Sequence, residues 1–274
     1  MEAKLQRRIQ RYGWDKAADV YEAGWRDSLS DAQAMVLHVA RARPGEEVLD
    51  VACGTGLVTF PLAETVGPTG QVYATDLSEN MIAKVRHFAD QRADLRVSAF
   101  RADAEDLSEM STASIDLATC AFGLMYVSDT LAALKEMFRV IRPGGRAVVA
   151  VWGERAKCGW AEIFPIVEAR VKSEVCPLFF RLGTNKALSL EMSEAGFEDV
   201  RTLRLMSELP YADGAAAIDA AFVGGPVALA YDRFDAQMRA DADREYLDSI
   251  AGYLSDWGYR IPGEFVICFG HKPR

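Results

Sequence analysis

The chain has 274 residues, with 31 Lys and Arg against 40 Asp and Glu, three His, five Cys and 50% hydrophobic residues. The resulting charge of −9 has the wrong sign for nucleic acid as the main partner, because phosphate binding is driven by Lys and Arg, and for an anionic membrane surface. A chain of this size folds to roughly 12,000 Å² of surface around a core that needs neither disulfides nor metal.

Cys53, Cys120, Cys158, Cys176 and Cys268 are odd in number and never paired as CxxC, which suits a reduced compartment and argues against a zinc site. The first twenty residues are polar and lack the apolar core of a signal peptide. The longest apolar-leaning stretch, from Ala215 to Ala230, contains Asp219 and is broken by Gly224-Gly225-Pro226. That is too short and interrupted to cross a bilayer. A cytoplasmic protein without a membrane partner is expected.

Residues 1–43 read as helical, with Tyr12, Trp14, Tyr21 and Trp25 clustered along them. Short apolar strands then alternate with amphipathic helices. Glu47–Val51, Gln71–Thr75, Leu95–Phe100, Ile115–Ala121 and Arg146–Trp152 are rich in Val, Ile and Leu, as strands covered on both faces should be. Between them, Ser78 is a good N-cap for a helix carrying Met81, Ile82, Val85 and Phe88 on one face. A second helix carries Leu131, Leu134 and Ile141 until Arg142-Pro143-Gly144-Gly145 stops it. This rhythm predicts a doubly wound α/β core.

Beyond it, residues 153–185 carry Trp160, Phe164, Phe179 and Phe180, with breaks at Pro165 and Pro177. Residues 211–262 read as a second helical insertion, between a strand near Asp199–Leu205 and a last strand at Glu264–His271. No repeat or low-complexity linker divides the chain, so one domain is expected over residues 1–274. Its parts are a cap (1–43), a core (44–152), an insertion (153–185), a closing helix and strands (186–210 and 263–274) and a lid (211–262).

The strongest local signal is Val48-Leu49-Asp50-Val51-Ala52-Cys53-Gly54-Thr55-Gly56, a strand running into a Gly-rich turn with a helix after it. Glycine is needed where backbone approaches a ligand closely or takes φ > 0. Asp76 closes the second strand 22 residues after Gly54, the distance at which a carboxylate meets the hydroxyls of an adenosine ribose. Two details favour S-adenosylmethionine over a dinucleotide. Asp50 lies at the mouth of the loop, where it would repel a pyrophosphate but suit an ammonium and a sulfonium. The third Gly of a GxGxxG fingerprint is replaced by Thr59.

The segments LDVACGTG, ATDLSENM, RADAEDL, IDLATCAFGLMYVSD and RVIRPGGR, in this order and spacing, resemble class I S-adenosylmethionine-dependent methyltransferases over roughly residues 46–152. The resemblance implies a seven-stranded Rossmann-like sheet with an antiparallel last strand. It also implies that Asp50 faces the methionine end of the cofactor and that Ala52, Gly54 and Gly56 let the backbone pass it, Ala52 standing where glycine is frequent. Asp76 would bind the ribose, Leu77 and Met81 would pack on the adenine, Asp103 and Ala104 would receive its edge, and the Cys120 backbone would close the site. Within the superfamily, AFGLMYVSD followed by RVIRPGG is similar to the quinone methyltransferase branch. That branch's substrate-side motif, rich in Asn, Met, His and Arg, is absent, and a general small-molecule acceptor is expected.

Tyr21, Phe122, Tyr126 and Trp152 are the candidates for lining an acceptor pocket, since aromatic faces stabilise a cationic methyl donor. Trp160, Phe164, Phe179, Phe180, Phe222 and Tyr231 read instead as lid packing, and Arg7, Arg8 and Arg11 as a solvated helix face. Tyr12 and Lys16 match YxxxK but precede the cofactor loop, so a short-chain dehydrogenase pair is not expected. The three His have no ligand spacing, and none reads as a general base. The expectation is in-line methyl transfer from S-adenosylmethionine to a small molecule, in a monomer or homodimer, with no catalytic base assigned. A methyltransferase-like scaffold that has lost catalysis and a nicotinamide-dependent oxidoreductase are the alternatives.

Overall fold

The computed structural model describes residues 3–171 and 179–274, so Cys176 and Pro177 lie outside the described residues. A long helix, α1 (Ala3–Ala40), precedes the alternating core. That core runs β1 (Glu47–Val51), α2 (Thr59–Val66), β2 (Gln71–Asp76), α3 (Glu79–Gln91), β3 (Val97–Arg101), β4 (Ile115–Ala121), α4 (Thr130–Val140) and β5 (Ile141–Trp152). There follow α5 (Ile163–Glu168), α6 (Ala187–Glu194), β6 (Glu198–Tyr211), α7 (Gly214–Ile218), α8 (Ala228–Tyr231), α9 (Ala236–Ile250), β7 (Leu254–Ser255) and β8 (Gly258–His271).

The strands form one mixed sheet in the order β3-β2-β1-β4-β5-β8-β6, with the two-residue β7 paired to β8. The pairs among β1 to β5 are parallel, whereas β8 is antiparallel to both β5 and β6. The order reverses between β1 and β4, so the carboxyl ends of these strands open a crevice there, where doubly wound sheets place their ligands. Val48, Leu49, Asp50 and Val51 are all buried, because helices cover both faces of β1.

Local chemistry fixes the helices that flank the crevice. The Ser78 hydroxyl accepts a 3.2 Å hydrogen bond from Met81 N, and Met81, Ile82 and Val85 bury one face of α3. Asp129 caps α4 by accepting from Ala132 N at 2.9 Å, and Ala133, Leu134, Met137 and Val140 pack inward. In α1, Trp25, Leu29, Ala32, Val36 and Ala40 enter the main core at helical spacing.

Several boundaries differ from the sequence reading. β3 begins at Val97 rather than Leu95 and ends at Arg101. β5 begins at Ile141, five residues before the expected Arg146, since Ile141 pairs with Ile115 and Gly144 N donates to Lys272 O at 2.9 Å. β6 continues to Tyr211 and β8 starts at Gly258, so the lid between them is shorter than residues 211–262; its last α-helix ends at Ile250 and a 3-10 turn, Ala251–Tyr253, follows. The eighth strand is the short β7. Proline hid the longer strands. Pro210 lies on the edge strand, and Pro262 lies before Phe265, where β8 has not yet met β5.

Candidate functional site

The Gly-rich turn after β1 is held open by backbone geometry. Gly54 has φ +56 and Gly56 φ +95, the left-handed region glycine enters without strain. A Cβ on Gly56 would lie 2.6 Å from the Phe60 ring, so this glycine serves the packing of α2 and is not part of the cavity wall. Ala52 adopts φ +53 and Phe122 φ +64. For residues with a Cβ, such conformations cost about 1 kcal/mol or more and concentrate at ligand sites.

Asp76 stands at the end of β2 and braces this turn. Its Oδ2 accepts from Gly54 N at 3.0 Å and its Oδ1 from Ser78 N at 2.8 Å. Burial pushes the carboxyl up to about 6, against the lowering effect of these two N–H groups. Asp50 is fully enclosed, with Thr59 and Thr119 hydroxyls donating to its two oxygens at 2.6 and 2.7 Å. Burial also pushes it up to about 6. It therefore acts first as a buried tie between β1, α2 and β4, and reaches the cleft from within.

Two cavities meet over the turn. The larger contains Asp76, Leu77 and Met81 on one side, and Ala102, Asp103, Ala104 and Glu105 beyond β3. Its far end is aromatic, with Trp14, Trp25, Tyr126, Trp152 and Trp160. The smaller reaches Asp50, Cys53, Leu57 and Val58. Tyr21, Ala52, Gly54, Ala121 and Phe122 line both and so mark their junction. An acid-lined groove, a glycine turn and an aromatic chamber are thus continuous.

Asp76, Leu77, Met81, Asp103, Ala104, Ala52, Gly54, Tyr21, Phe122, Tyr126 and Trp152 come together around the larger cavity, and Asp50 around the smaller. Cys120 lies one residue behind the wall, with 0% exposure, while Ala121, Phe122 and Gly123 form the surface. The strand alternates there, and the Cys120 side chain falls in the core, where burial pushes its thiol up to about 12.

Sequence reasoning missed Arg7, Gln10, Trp14, Trp25 and Leu29, which join Tyr21 on the cavity side of α1. Their spacing of three, four and seven residues is that of one helix face. Arg7 is only partly solvated: its side chain keeps access to water, but its Nε lies 3.1 Å from Asp103 Oδ2. Trp160 holds the Phe164, Phe179 and Phe180 rings as expected, yet it also lines the cavity. Its buried Nε1 has no hydrogen-bond partner among the described residues. Tyr12 is half exposed and Lys16 pairs with Asp232 at 2.6 Å, so no YxxxK pair is assembled.

Acidic side chains and exposed backbone beside a glycine turn fit the ribose hydroxyls and amino groups of S-adenosylmethionine, and the aromatic junction fits its sulfonium. Comparison with known proteins agrees. A demethylmenaquinone methyltransferase of Lactococcus lactis is 40% identical over 38% of this chain and 41% of its own length. One from Anoxybacillus flavithermus is 31% identical over 60% of this chain and 70% of its length. The chain spans about half the length of most of the curated relatives it matches. The fold is shared with phosphoethanolamine N-methyltransferase 2 of Haemonchus contortus in complex with S-adenosyl-L-methionine. The TM-score is 0.63 at 17% identity, covering 95% of this chain and 57% of that one. Residues 14–166 match the model of the ubiE/COQ5 methyltransferase family, and with the fold and the cleft described above, the chain belongs to that family.

Proposed function

We propose that the protein transfers a methyl group from S-adenosylmethionine to a flat, electron-rich aromatic small molecule of the quinol or phenol class. The observation that carries this reading is the continuity of the acid-lined groove with the aromatic chamber through one junction, lined by Tyr21, Ala52, Gly54, Ala121 and Phe122. When bound, S-adenosylmethionine supplies an electrophilic methyl on a positively charged sulfur. Asp76 would hold the ribose, Asp103 and Ala104 the adenine edge, and Asp50 and the Gly54 turn the methionine end. The Tyr21 and Phe122 rings would face the cation.

What the chamber lacks decides how the chain can assist. Burial, with Asp76 next in effect, raises the Tyr21 phenol above its ordinary value, so this hydroxyl keeps its proton at neutral pH and is no base. No histidine lines either cavity among the described residues. The acceptor must therefore bring its own electron density, as a quinol or phenolate does. The work of the chain is to align the reactants and exclude water. The names of the curated relatives support a quinol-type ring.

S-Adenosylhomocysteine is expected to raise the melting temperature, and NAD to leave it unchanged. Asp76→Ala should weaken S-adenosylhomocysteine binding by more than about tenfold, since a carboxylate's hydrogen bonds to two hydroxyls are lost. Turnover is read as S-adenosylhomocysteine release on reduced naphthoquinones, phenols and amines. Stabilisation by NAD alone would sink the proposal. Cofactor binding without turnover on any ring would favour a non-catalytic binding protein.

A further inference from the structure

Helix α1 touches the cleft at both ends. Arg7 and Gln10 stand at the adenosine end, Trp14 and Tyr21 follow, and Trp25 reaches the aromatic chamber. Arg7 is the only cation lining the larger cavity among the described residues, and it faces the acids there. Its Nε is shielded from water and lies 3.1 Å from Asp103 Oδ2 as an ion pair without a hydrogen bond among the described residues, while its terminal nitrogen donates to Glu105. Glu105 in turn accepts from the backbone of Ser128 and Asp129 at 2.7 and 3.1 Å. One guanidinium thus joins α1 to the segment after β3 and, through Glu105, to the start of α4. Farther along, Asp15 accepts from the Ser78 hydroxyl at 2.6 Å, two residues beyond Asp76.

We propose that Arg7 is a cofactor-positioning residue that covers the adenine and ties closure of α1 to occupancy of the adenosine subsite. The inference rests on the S-adenosylmethionine reading above and adds a contact from outside the sheet. A guanidinium hydrogen-bonded at one terminal nitrogen by Glu105 and charge-paired with Asp103 keeps a planar face free to stack on a purine, which an ammonium cannot offer. Arg7 also offsets the charge of Asp103 and Glu105, which an empty groove would leave facing each other. The same helix carries Trp14, Tyr21 and Trp25 along the cavity. Fixing its first turns on the adenine therefore steadies Trp14 and Tyr21 in the wall of the same cavity.

Arg7→Ala and Arg7→Lys test this in the full chain, by calorimetric titration with S-adenosylhomocysteine and by amide hydrogen exchange. The Arg7 side chain is 41% exposed, so both variants should fold. Arg7→Ala is expected to weaken S-adenosylhomocysteine about tenfold, and Arg7→Lys nearly as much, because stacking is lost in both. In the wild type, saturating S-adenosylhomocysteine should slow exchange over residues 4–20; in Arg7→Ala, equally saturated, that slowing should be absent. Unchanged affinity in Arg7→Ala, or equal slowing in both proteins, would overturn the proposal. Failure of the wild type itself to bind S-adenosylhomocysteine would instead remove the cofactor reading, and this one with it.

Discussion

Asp76 and Asp50 answer to pH in two opposite ways. Each is pushed up to about 6, mainly by burial, whereas an Asp in the unfolded chain titrates near 3.9. Between these values the folded protein keeps protons that the unfolded chain releases. The stabilisation is complete below about pH 4 and is lost as pH rises through about 6. In the ribose-binding role proposed for Asp76 the hydroxyls need the ionised carboxylate, so on that proposal cofactor binding follows the reverse course. Lowering the pH from 7 to 5 should weaken S-adenosylhomocysteine binding about tenfold, read by calorimetry, while these two acids raise the melting temperature of the unliganded protein. Asp76, Gly54 and Asp103 were legible in the sequence because spacing along alternating strands and turns determines where they meet. Trp14, Trp25 and Arg7 were not, because an aromatic or basic residue on a helix face reads alike whether it meets core, solvent or cavity.

Among the elements, the closing strand β8 depends on Glu264. This carboxylate is 2% exposed, accepts from Lys157 Nζ and Arg204 at 2.9 Å each, and takes a further 2.9 Å bond from Glu154 N. Burial alone would raise its pKa; the Glu154 N–H, Lys157 and Arg204 outweigh that and lower it. The cluster fastens β8 to β6 and to the segment leaving β5. Glu264→Ala should destabilise the protein by about 2–3 kcal/mol, because a buried partner is removed from two cations that keep partial access to water. Urea unfolding measures it, and a change under about 0.5 kcal/mol, the range of ordinary surface substitutions, would contradict the assignment. Strand identity was readable from the Val- and Ile-rich runs. Strand length was not, since β6 is rich in polar residues, β6 and β8 each contain a proline, and their pairing joins residues about 50 to 70 apart in sequence.

For the whole molecule, the surface of 12393 Å² is what a single core of this size should expose, and one cluster of buried side chains runs from α1 through the sheet to α9. Helix α1 enters that core unevenly. Its second half contributes Trp25, Leu29, Ala32, Val36 and Ala40, while its first turns are held chiefly by polar contacts to Asp103, Glu105, Ser78 and Asn80. Opening free energy follows buried apolar contact. Amides in residues 4–14 of the unliganded protein should therefore exchange about a hundredfold faster than those in 29–40, measured by mass spectrometry. Uniform protection along α1 would show a helix that opens as one piece. The α/β class and the methyl-donor cleft were legible because many segments constrain them together. The acceptor chamber was not, because it forms where α1, β5 and the residues after it converge from distant parts of the chain.

The order of strands also sets an order of events in synthesis. β6 is made roughly 60 residues before β8, yet among the described residues its pairing within the sheet is with β8 alone. At roughly 5–20 residues per second, the nascent chain carries β6 for several seconds as an unpaired ribbon that includes Leu203, Leu205 and Met206. β5 waits still longer for its outer neighbour. Until β8 slides in between, the half-made sheet presents open edges to any other strand in reach. The strand order therefore makes completion of β8 the step that closes those edges.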